Sequence, residues 1–469
     1  MRGIISAAGY VPYWRLDRSQ VAATFGSGGG KGTRSVASYD EDTTTMGVEA
    51  ARLALKSAGG AEPQAMSFAT VAPAYLDKTN ATAIHAALRL DSDVAAFDFG
   101  GAIRSSVGAL LAGLRGGVPV LVVSSDIRNG QATSVDEVAG GDGAAAVLVG
   151  SDDDGTVIAE LIGVGTATDE FIDRWRTPGD RRSKFWEERF GETKYVPLSE
   201  QAFNAALKAA EIAVDQVDHL IVTGPHARAI RSLTPRLGVD KEKIVDDLAA
   251  TVGWTGAAHQ ALLLTSALET AEPGQVIVLL SAADGADALV FRTTDAIAQW
   301  KPARTVATQI ASSAQVPYGK FLAWRGEISL EGPRRPEPSR ISASISGRRE
   351  DWKYGFVGSK DRTSGAVHLP PARVSMKGGA VDDMEPAPMS DELGTISTFT
   401  IDRIAYSPSP PIVFAVVDFD GGGRTPVELC DVDADAIEMG DRVEMTFRRL
   451  FTADGIHNYF WKARPIRGE

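Results

Sequence analysis

Five side chains in this sequence stand out as candidates for moving protons. His226 follows the apolar run HLIVTGP, and His259 opens an apolar helix-like stretch directly after GWTGAA. Tyr75, Asp77 and Lys78 lie together in FATVAPAYLDKTNATA. Each of the five could act as a general acid or base if it faces a bound substrate. The competing reading, which the sequence favours for each, is an ordinary hydrogen-bonded or surface side chain. Nucleophilic and metal chemistry are more restricted, because Cys430 is the only cysteine. No internal disulfide and no cysteine-based metal cluster can form from it. FGSGGGKGTR ends in GKG rather than the GK[ST] of a P-loop, so it reads as a Gly-rich loop. GGDGAAA is better explained as a tight turn than as a nucleotide cradle.

The elements that must position these residues belong to a large soluble-type chain. Its 469 residues allow two or three domains, with 44% apolar and 23% charged residues. The net charge of −13 argues against nucleic-acid or anionic-membrane partners, which need clustered Lys and Arg. The N-terminus MRGIISAAGYVPYWRLDRSQ has no long apolar run after its Arg, so no signal peptide is expected. No stretch approaches the roughly 18 apolar residues of a membrane span. With a lone cysteine, this fits a cytoplasmic protein.

The first 295 residues alternate between strand and helix patterns. TTTMGVEAARLALKSA at 43–58 predicts an amphipathic helix with a Thr/Asp cap. PVLVVSS at 119–125 and VIVLLSA at 276–282 predict buried strands. Two passages echo each other. AFDFGGAIRSSVGALLAGLRGGVPVLVVSSD leads to GGDGAAAVLVG, and IVDDLAATVGWTGAAHQALLLTSALETAEPGQVIVLLSAADGADALVF repeats the order of turns. Strand, small-residue turn, apolar helix, Gly-containing loop, buried strand and Gly/Ala/Asp turn recur in sequence. This predicts a duplicated α/β domain, with halves at 1–150 and 151–295 related by a pseudo-twofold axis. An Arg- and Trp-rich excursion at about 168–198 reads as a lid or a solvated loop.

Several motifs then resemble a known family. DEDTTTMGVEAARLAL and SSDIRNGQATSVDEVAGGDGAAAVLVG resemble segments of the hydroxymethylglutaryl-CoA synthase family. RFGETKY resembles its RFTGEPAY-type segment, and AFDFGGAIRSSVGAL resembles the nucleophile region of ketoacyl synthase III enzymes. The resemblance covers residues 1–295 and implies the five-layered αβαβα thiolase architecture. It also implies an acyl-CoA thioester as substrate or ligand, with no permanently bound cofactor. Family members attack through a Cys at a helix N-terminus, where the dipole and an imidazole favour thiolate. Alignment places Ile103 at that nucleophile position. Thr223 falls at the family His, Trp254 at its Asn and Val71 at its Glu.

The last third reads differently. Residues 296–352 form a linker or wrapping arm. KYGFVGSKDRTSGAVHLPPARVSMKGG, in the segment 353–392, resembles the zinc ribbon of the domain-of-unknown-function-35 family. Asp361 with Ser364, and Ser375 with Gly378, replace its two cysteine pairs, and His368 alone cannot complete a tetrahedral site, so no zinc is expected. Residues 393–469 contain five short strand patterns that suit an OB barrel, with turns at 421–423 and 439–441.

The implied function follows the missing thiol. One expectation is an acyl-CoA protein doing non-covalent C–C chemistry of retro-aldol type, alone or with a partner. A second is a non-catalytic acyl-CoA-binding or scaffolding subunit, homodimeric or paired with a thiolase-like protein. A third is a hydroxymethylglutaryl-CoA synthase-type acyltransferase.

Overall fold

The computed structural model describes residues 1–467. The chain divides into two compact units. The first comprises Met1–Ala37, Glu49–Thr82 and Ser92–Val316, and the second comprises Ser38–Val48, Ala83–Asp91 and the chain from Pro317 onward.

The first unit is built on nine strands, which are β1 (Arg2–Tyr10), β2 (Ala65–Thr70), β3 (Ala95–Gly100), β4 (Val120–Asp126), β5 (Gly143–Ser151), β6 (Ala159–Ala167), β7 (His219–Thr223), β8 (Val276–Ala282) and β9 (Ala286–Thr293). Their spatial order is β7-β8-β9-β6-β1-β5-β4-β2-β3. The order is symmetric about the β1–β6 seam, where only Gly3↔Glu160 and Ile4↔Ala159 pair. Outward from the seam, β5, β4, β2 and β3 match β9, β8, β7 and the parallel bridge Leu220↔Ile244. The repeat expected from the turn order is therefore present in the topology.

The runs predicted as buried strands are buried along their length. All seven residues of β4 and of β8 are buried, as unbroken apolar patterns require when both faces are covered. Helices α2 (Ser105–Arg115) and α6 (His259–Leu268) occupy equivalent places in the two halves and pack on strands between them. α4 (Glu188–Ala209) covers β6, β8 and β9. Its close approach depends on two glycines. A Cβ at Gly165 would lie 2.0 Å from the Ala202 carbonyl oxygen, and one at Gly163 would lie 2.5 Å from that of Ala206. The Arg/Trp-rich excursion expected over about 168–198 ends earlier, because its residues from Glu188 onward form the first turns of α4; its arms meet in a short ladder pairing Arg174–Trp175 with Lys184–Phe185.

Within the second unit's first segment, Asp42 caps α1 (Thr43–Lys56), the helix expected from the sequence, whose residues from Glu49 onward are assigned to the first unit. Asp42 Oδ1 accepts from Thr45 N at 2.9 Å, while Thr45 Oγ1 accepts from Asp42 N at 2.9 Å. A three-stranded ribbon follows later, made of β10 (Val357–Asp361), β11 (Val367–His368) and β12 (Met384–Pro388). Strands β13 (Gly394–Asp402), β14 (Ile412–Phe419), β15 (Arg424–Leu429), β16 (Arg442–Ala453) and β17 (Ile456–Pro465) close into a barrel in the order β13-β14-β15-β17-β16. Gly422, Gly423 and Gly440 take positive φ at the two expected turns. Phe356, Phe447, Tyr459 and Trp461 form its aromatic interior. Buried beside them are Arg448 and Lys462, paired with Asp40, Glu428 and Asp431. The acidic DED at 40–42 thus belongs to the barrel's charge network as well as to a helix cap.

Candidate functional site

The first unit contains a cavity of about 450 Å³, bounded by Val71, Leu76, Ile103, Arg128, Arg174 and Asp284 among others. The sequence builds it at the C-terminal ends of the strands, where turns of small residues leave room. Gly101 has φ +93° in the turn between β3 and α2, which delivers Ile103 just before the helix N-terminus. Arg104 then fastens this turn across the fold. Its Nε lies 2.8 Å from Asp287 Oδ2, and its Nη1 donates to the Asp284 carbonyl at 2.8 Å. A cation at a helix N-terminus opposes the helix dipole, so the buried Asp287 carboxylate is what makes Arg104 tolerable there.

Asp284 is a carboxyl on the cavity wall whose proton affinity is raised. It sits in the turn of LLSAADGADAL with φ +48°. Burial, reinforced by the nearby Asp173 charge, pushes its carboxyl upward, against the pull of Arg104. This residue was missed by sequence reasoning. The ADG turn that carries it was read only as punctuation in the repeat.

The floor of the cavity is organised by charge. Asp126, at the end of β4, is fully buried. It accepts from Ala257 N at 2.9 Å, and from Val71 N and Thr70 Oγ1 at 3.3 Å. Burial nevertheless raises its carboxyl above the usual range. Arg128 lies over the Trp254 ring at 4.8 Å, and Arg174 approaches the same ring at 5.8 Å. Arg174 also forks onto Asp136 with distances of 2.8 and 2.6 Å. Both arginines were overlooked in the sequence, although Arg128 lies in the quoted SSDIRNG segment and Arg174 in the Arg- and Trp-rich excursion.

The residues singled out from the sequence divide into three groups. Val71 and Ile103 line the cavity, and Trp254 supports the arginines that do. Thr223 is buried at the end of β7. Tyr75, half-buried, is held through its backbone N–H by Asn80 Oδ1, while exposed Asp77 and Lys78 follow on the same loop. Lys78 Nζ donates to Thr79 O and Thr82 Oγ1.

The two histidines are both engaged by backbone. His226 caps α5 (Ala227–Leu233), with Nδ1 accepting from Ala229 N at 3.0 Å and Nε2 2.8 Å from the Glu188 carbonyl. Its preceding residue, Pro225, reaches the cavity wall. The ring packs near Tyr195, with Asp173 close by and its carboxyl raised by burial. His259 is buried at the start of α6, where Nδ1 accepts from Thr255 N at 3.3 Å. Burial lowers it to about 4, so the neutral ring is the one present at neutral pH.

In the ribbon, the first pair of positions aligned with cysteines is joined by a hydrogen bond. Ser364 Oγ donates to the Asp361 carboxylate, and Asp361 also accepts from Thr363 N at 2.9 Å. His368 Nε2 accepts from Met376 N at 3.0 Å. Among the described residues, no group of three or more His, Cys, Asp or Glu side chains is placed to hold a metal ion. No helix among them is long and apolar enough to cross a membrane.

Comparison with known proteins agrees with this architecture. Residues 207–292 match the C-terminal model of 3-oxoacyl-[acyl-carrier-protein] synthase III, and residues 387–448 match the C-terminal OB-fold domain of ChsH2. Hydroxymethylglutaryl-CoA synthase of Methanopyrus kandleri is 26% identical over 347 residues, covering 70% of this chain and 98% of that protein. The Archaeoglobus fulgidus enzyme is 28% identical over 348 residues, covering 70% and 99%. Among solved structures, MvaS in complex with 3-hydroxy-3-methylglutaryl coenzyme A aligns with a TM-score of 0.60 at 19% identity, covering 72% of this chain and 94% of that one. The 3-oxoacyl-(acyl carrier protein) synthase III FabH of Pseudomonas aeruginosa aligns at 0.54 with 21% identity, covering 62% and 98%. The chain is thus a thiolase-like α/β domain homologous to hydroxymethylglutaryl-CoA synthases, carrying a C-terminal OB-fold domain.

Proposed function

We propose that the protein binds an acyl-CoA in the thiolase-type cavity and cleaves or forms a C–C bond without becoming acylated. The observation that carries this reading is that Ile103 and Asp284 both line the cavity. Ile103 offers no atom for a thioester at the α2 N-terminus. Asp284 supplies a carboxyl whose raised affinity for protons suits a general base. In the retro-aldol direction, Asp284 takes the proton of a β-hydroxyl group. The Cα–Cβ bond then breaks, its electron pair passing to the acyl-CoA enolate as the hydroxyl carbon becomes a carbonyl. The enolate recovers a proton to give the shorter acyl-CoA. A CoA ligand is suggested by relatives named for CoA substrates, and by a solved hydroxymethylglutaryl-CoA synthase complexed with CoA that shares this fold.

The test is to incubate β-hydroxyacyl-CoAs with the full chain and analyse the products by mass spectrometry. Asp284→Asn should abolish turnover while retaining acyl-CoA binding. Turnover unaffected by D284N would refute the assignment.

A second reading, a non-catalytic acyl-CoA-binding subunit, is favoured by one observation: both His226 and His259 are occupied by backbone groups. Recovery from the native host only with a thiolase-like partner, and no turnover alone or together, would favour it. The acyltransferase reading, which the relatives' names suggest, requires an acyl-enzyme; an acetyl mass increase after exposure to acetyl-CoA would support it. We further read the ribbon as folding without zinc, since hydrogen bonds from Ser364 and Thr363 already fill Asp361. Elemental analysis of purified protein checks this.

A further inference from the structure

The glycine-rich stretch FGSGGGKGTR lines no part of the cavity, yet it folds over a buried cation. Arg18 is only 8% exposed. Its backbone N–H donates to the Gly32 carbonyl at 3.1 Å, and its Nη1 donates to the Lys31 carbonyl at 3.3 Å. The other edge of the guanidinium is different. Its two nitrogens, Nε and Nη2, are shielded from solvent and have no hydrogen-bond partner in the protein.

Elsewhere in the chain this same edge is filled. Arg104 presents Nε and Nη2 to the two oxygens of Asp287 at 2.8 and 3.2 Å. Arg373 presents them to the two oxygens of Asp382 at 2.6 Å each. Two parallel N–H bonds from this fork are how a guanidinium holds a carboxylate or a phosphate. The carboxylate whose charge acts on Arg18 is Asp247, and it does not enter the fork. It is exposed, and its Oδ1 accepts from Ala249 N at 2.9 Å. Two buried donors left unmet destabilise a fold unless an acceptor reaches them from outside.

The loop above Arg18 is shaped by close contacts. A Cβ at Gly28 would lie 2.8 Å from Thr133 Cβ, one at Gly29 2.7 Å from the Arg18 carbonyl oxygen, and one at Gly32 2.2 Å from that of Ala250. All three take positive φ. Gly30 is the exception, because a Cβ there would meet only Val138 at 3.5 Å and Arg18 Cδ at 3.8 Å. Room therefore remains beside the Arg18 side chain at this point. Among the described residues, no N–H group of residues 27–32 donates to a backbone carbonyl. Successive N–H groups around left-handed glycines form a concave nest for anions, and exposed Lys31 adds a second cation.

We propose that Arg18 and the glycine loop over it, residues 26–32, bind a phosphate group. The Nε/Nη2 fork takes two of its oxygens, and the loop N–H groups and Lys31 surround the rest. A carboxylate would satisfy the fork and leave the loop donors unused. Glycine gives the loop the freedom to lift for entry and to close again. This site is independent of the chemistry assigned to Asp284.

Thermal unfolding of the full chain in rising inorganic phosphate, with ionic strength held constant by chloride, tests the proposal. A ligand that binds only the folded state raises the midpoint as its concentration rises. Phosphate should do so along a saturating curve, and acetate should need at least about tenfold higher concentration. Arg18→Gln should lose the phosphate response. Gly30→Asp brings a carboxylate within reach of the fork, so it should raise the midpoint in chloride alone and remove the phosphate response. AMP and adenosine distinguish the sources of the phosphate. AMP acting at lower concentration than inorganic phosphate, with adenosine inert, assigns the site to a nucleotide; otherwise free phosphate is the ligand. A midpoint that follows ionic strength alone overturns the proposal, and so does a phosphate response that survives R18Q. If R18Q does not fold, G30D decides, and an unchanged phosphate response there overturns the site.

Discussion

Lys462 Nζ lies 2.8 Å from a carboxylate oxygen of Asp40, and neither side chain has any solvent exposure. Lys462 also contacts Glu428, while Arg448 pairs with Asp40, Glu41 and Asp431. Removing one member of such a network strands the others. Lys462→Met should therefore destabilise the second unit by about 3–5 kcal/mol. Urea unfolding followed by tryptophan fluorescence measures it, and a loss below about 1 kcal/mol would show that the network contributes little.

The same network predicts an acid limb. Burial alone would raise the Asp40 carboxyl, but Lys462 and Arg448 outweigh it and bring it to about 2. A carboxyl held below its unfolded value contributes stability above that value, and loses it as pH falls through the folded one. Asp40's contribution is thus present above about pH 4 and lost between pH 4 and 2. Glu428 acts in the opposite sense, because burial raises it. Stability measured from pH 6 to 2 should fall in wild type and be flatter in that window for Asp40→Asn.

His259 should give a second limb at higher pH. Its folded value of about 4 lies below that of an unfolded histidine, so the unfolded chain takes up the proton first. No penalty exists above about pH 6.5, and one grows as pH falls toward 4, reaching about 3 kcal/mol. His259→Gln should remove this slope. A slope unchanged in the variant would mean that His259 is protonated in the fold.

Cysteine chemistry offers a direct comparison of two sites. Burial raises the Cys430 thiol well above its usual value, so it should resist iodoacetamide until the chain unfolds. Ile103→Cys places a thiol at the N-terminus of α2, where the helix dipole favours thiolate. Alkylation at pH 7 should be at least about tenfold faster at that position than at Cys430. Equal rates would place position 103 outside the cavity.

The two close-approach glycines predict a packing effect. Gly165→Ala would drive a methyl into the Ala202 carbonyl, a backbone atom that cannot yield without moving α4. The cost should be about 3 kcal/mol or more, seen as a lower midpoint in thermal unfolding.

Much of the fold could be read from the sequence because it depends on short-range patterns. The unbroken apolar runs of β4 and β8 and the matched order of small-residue turns led to the duplicated sheet. The alternating C-terminal runs led to the barrel. The site was harder to read, since its defining contacts join distant segments. Arg128 and Trp254 are 4.8 Å apart in space but lie in different halves of the repeat. Asp284 looked like turn punctuation because its significance comes from burial, which no local pattern records. His226 and His259 looked like catalytic candidates by residue type, yet their ring nitrogens serve the backbone. The DED at 40–42 read as a helix cap, and Asp42 is one, but Asp40 answers to Lys462 more than four hundred positions later.

The Asp126 carboxylate draws one backbone N–H from Val71 in the first repeat and another from Ala257 in the second. A single anion therefore acts as the keystone of two homologous arches. Neither half owns the shape of the cavity floor. A substitution that loosens the turn before α6 will be felt at Val71, on the far side of the pseudo-dyad, without any side chain between them having changed.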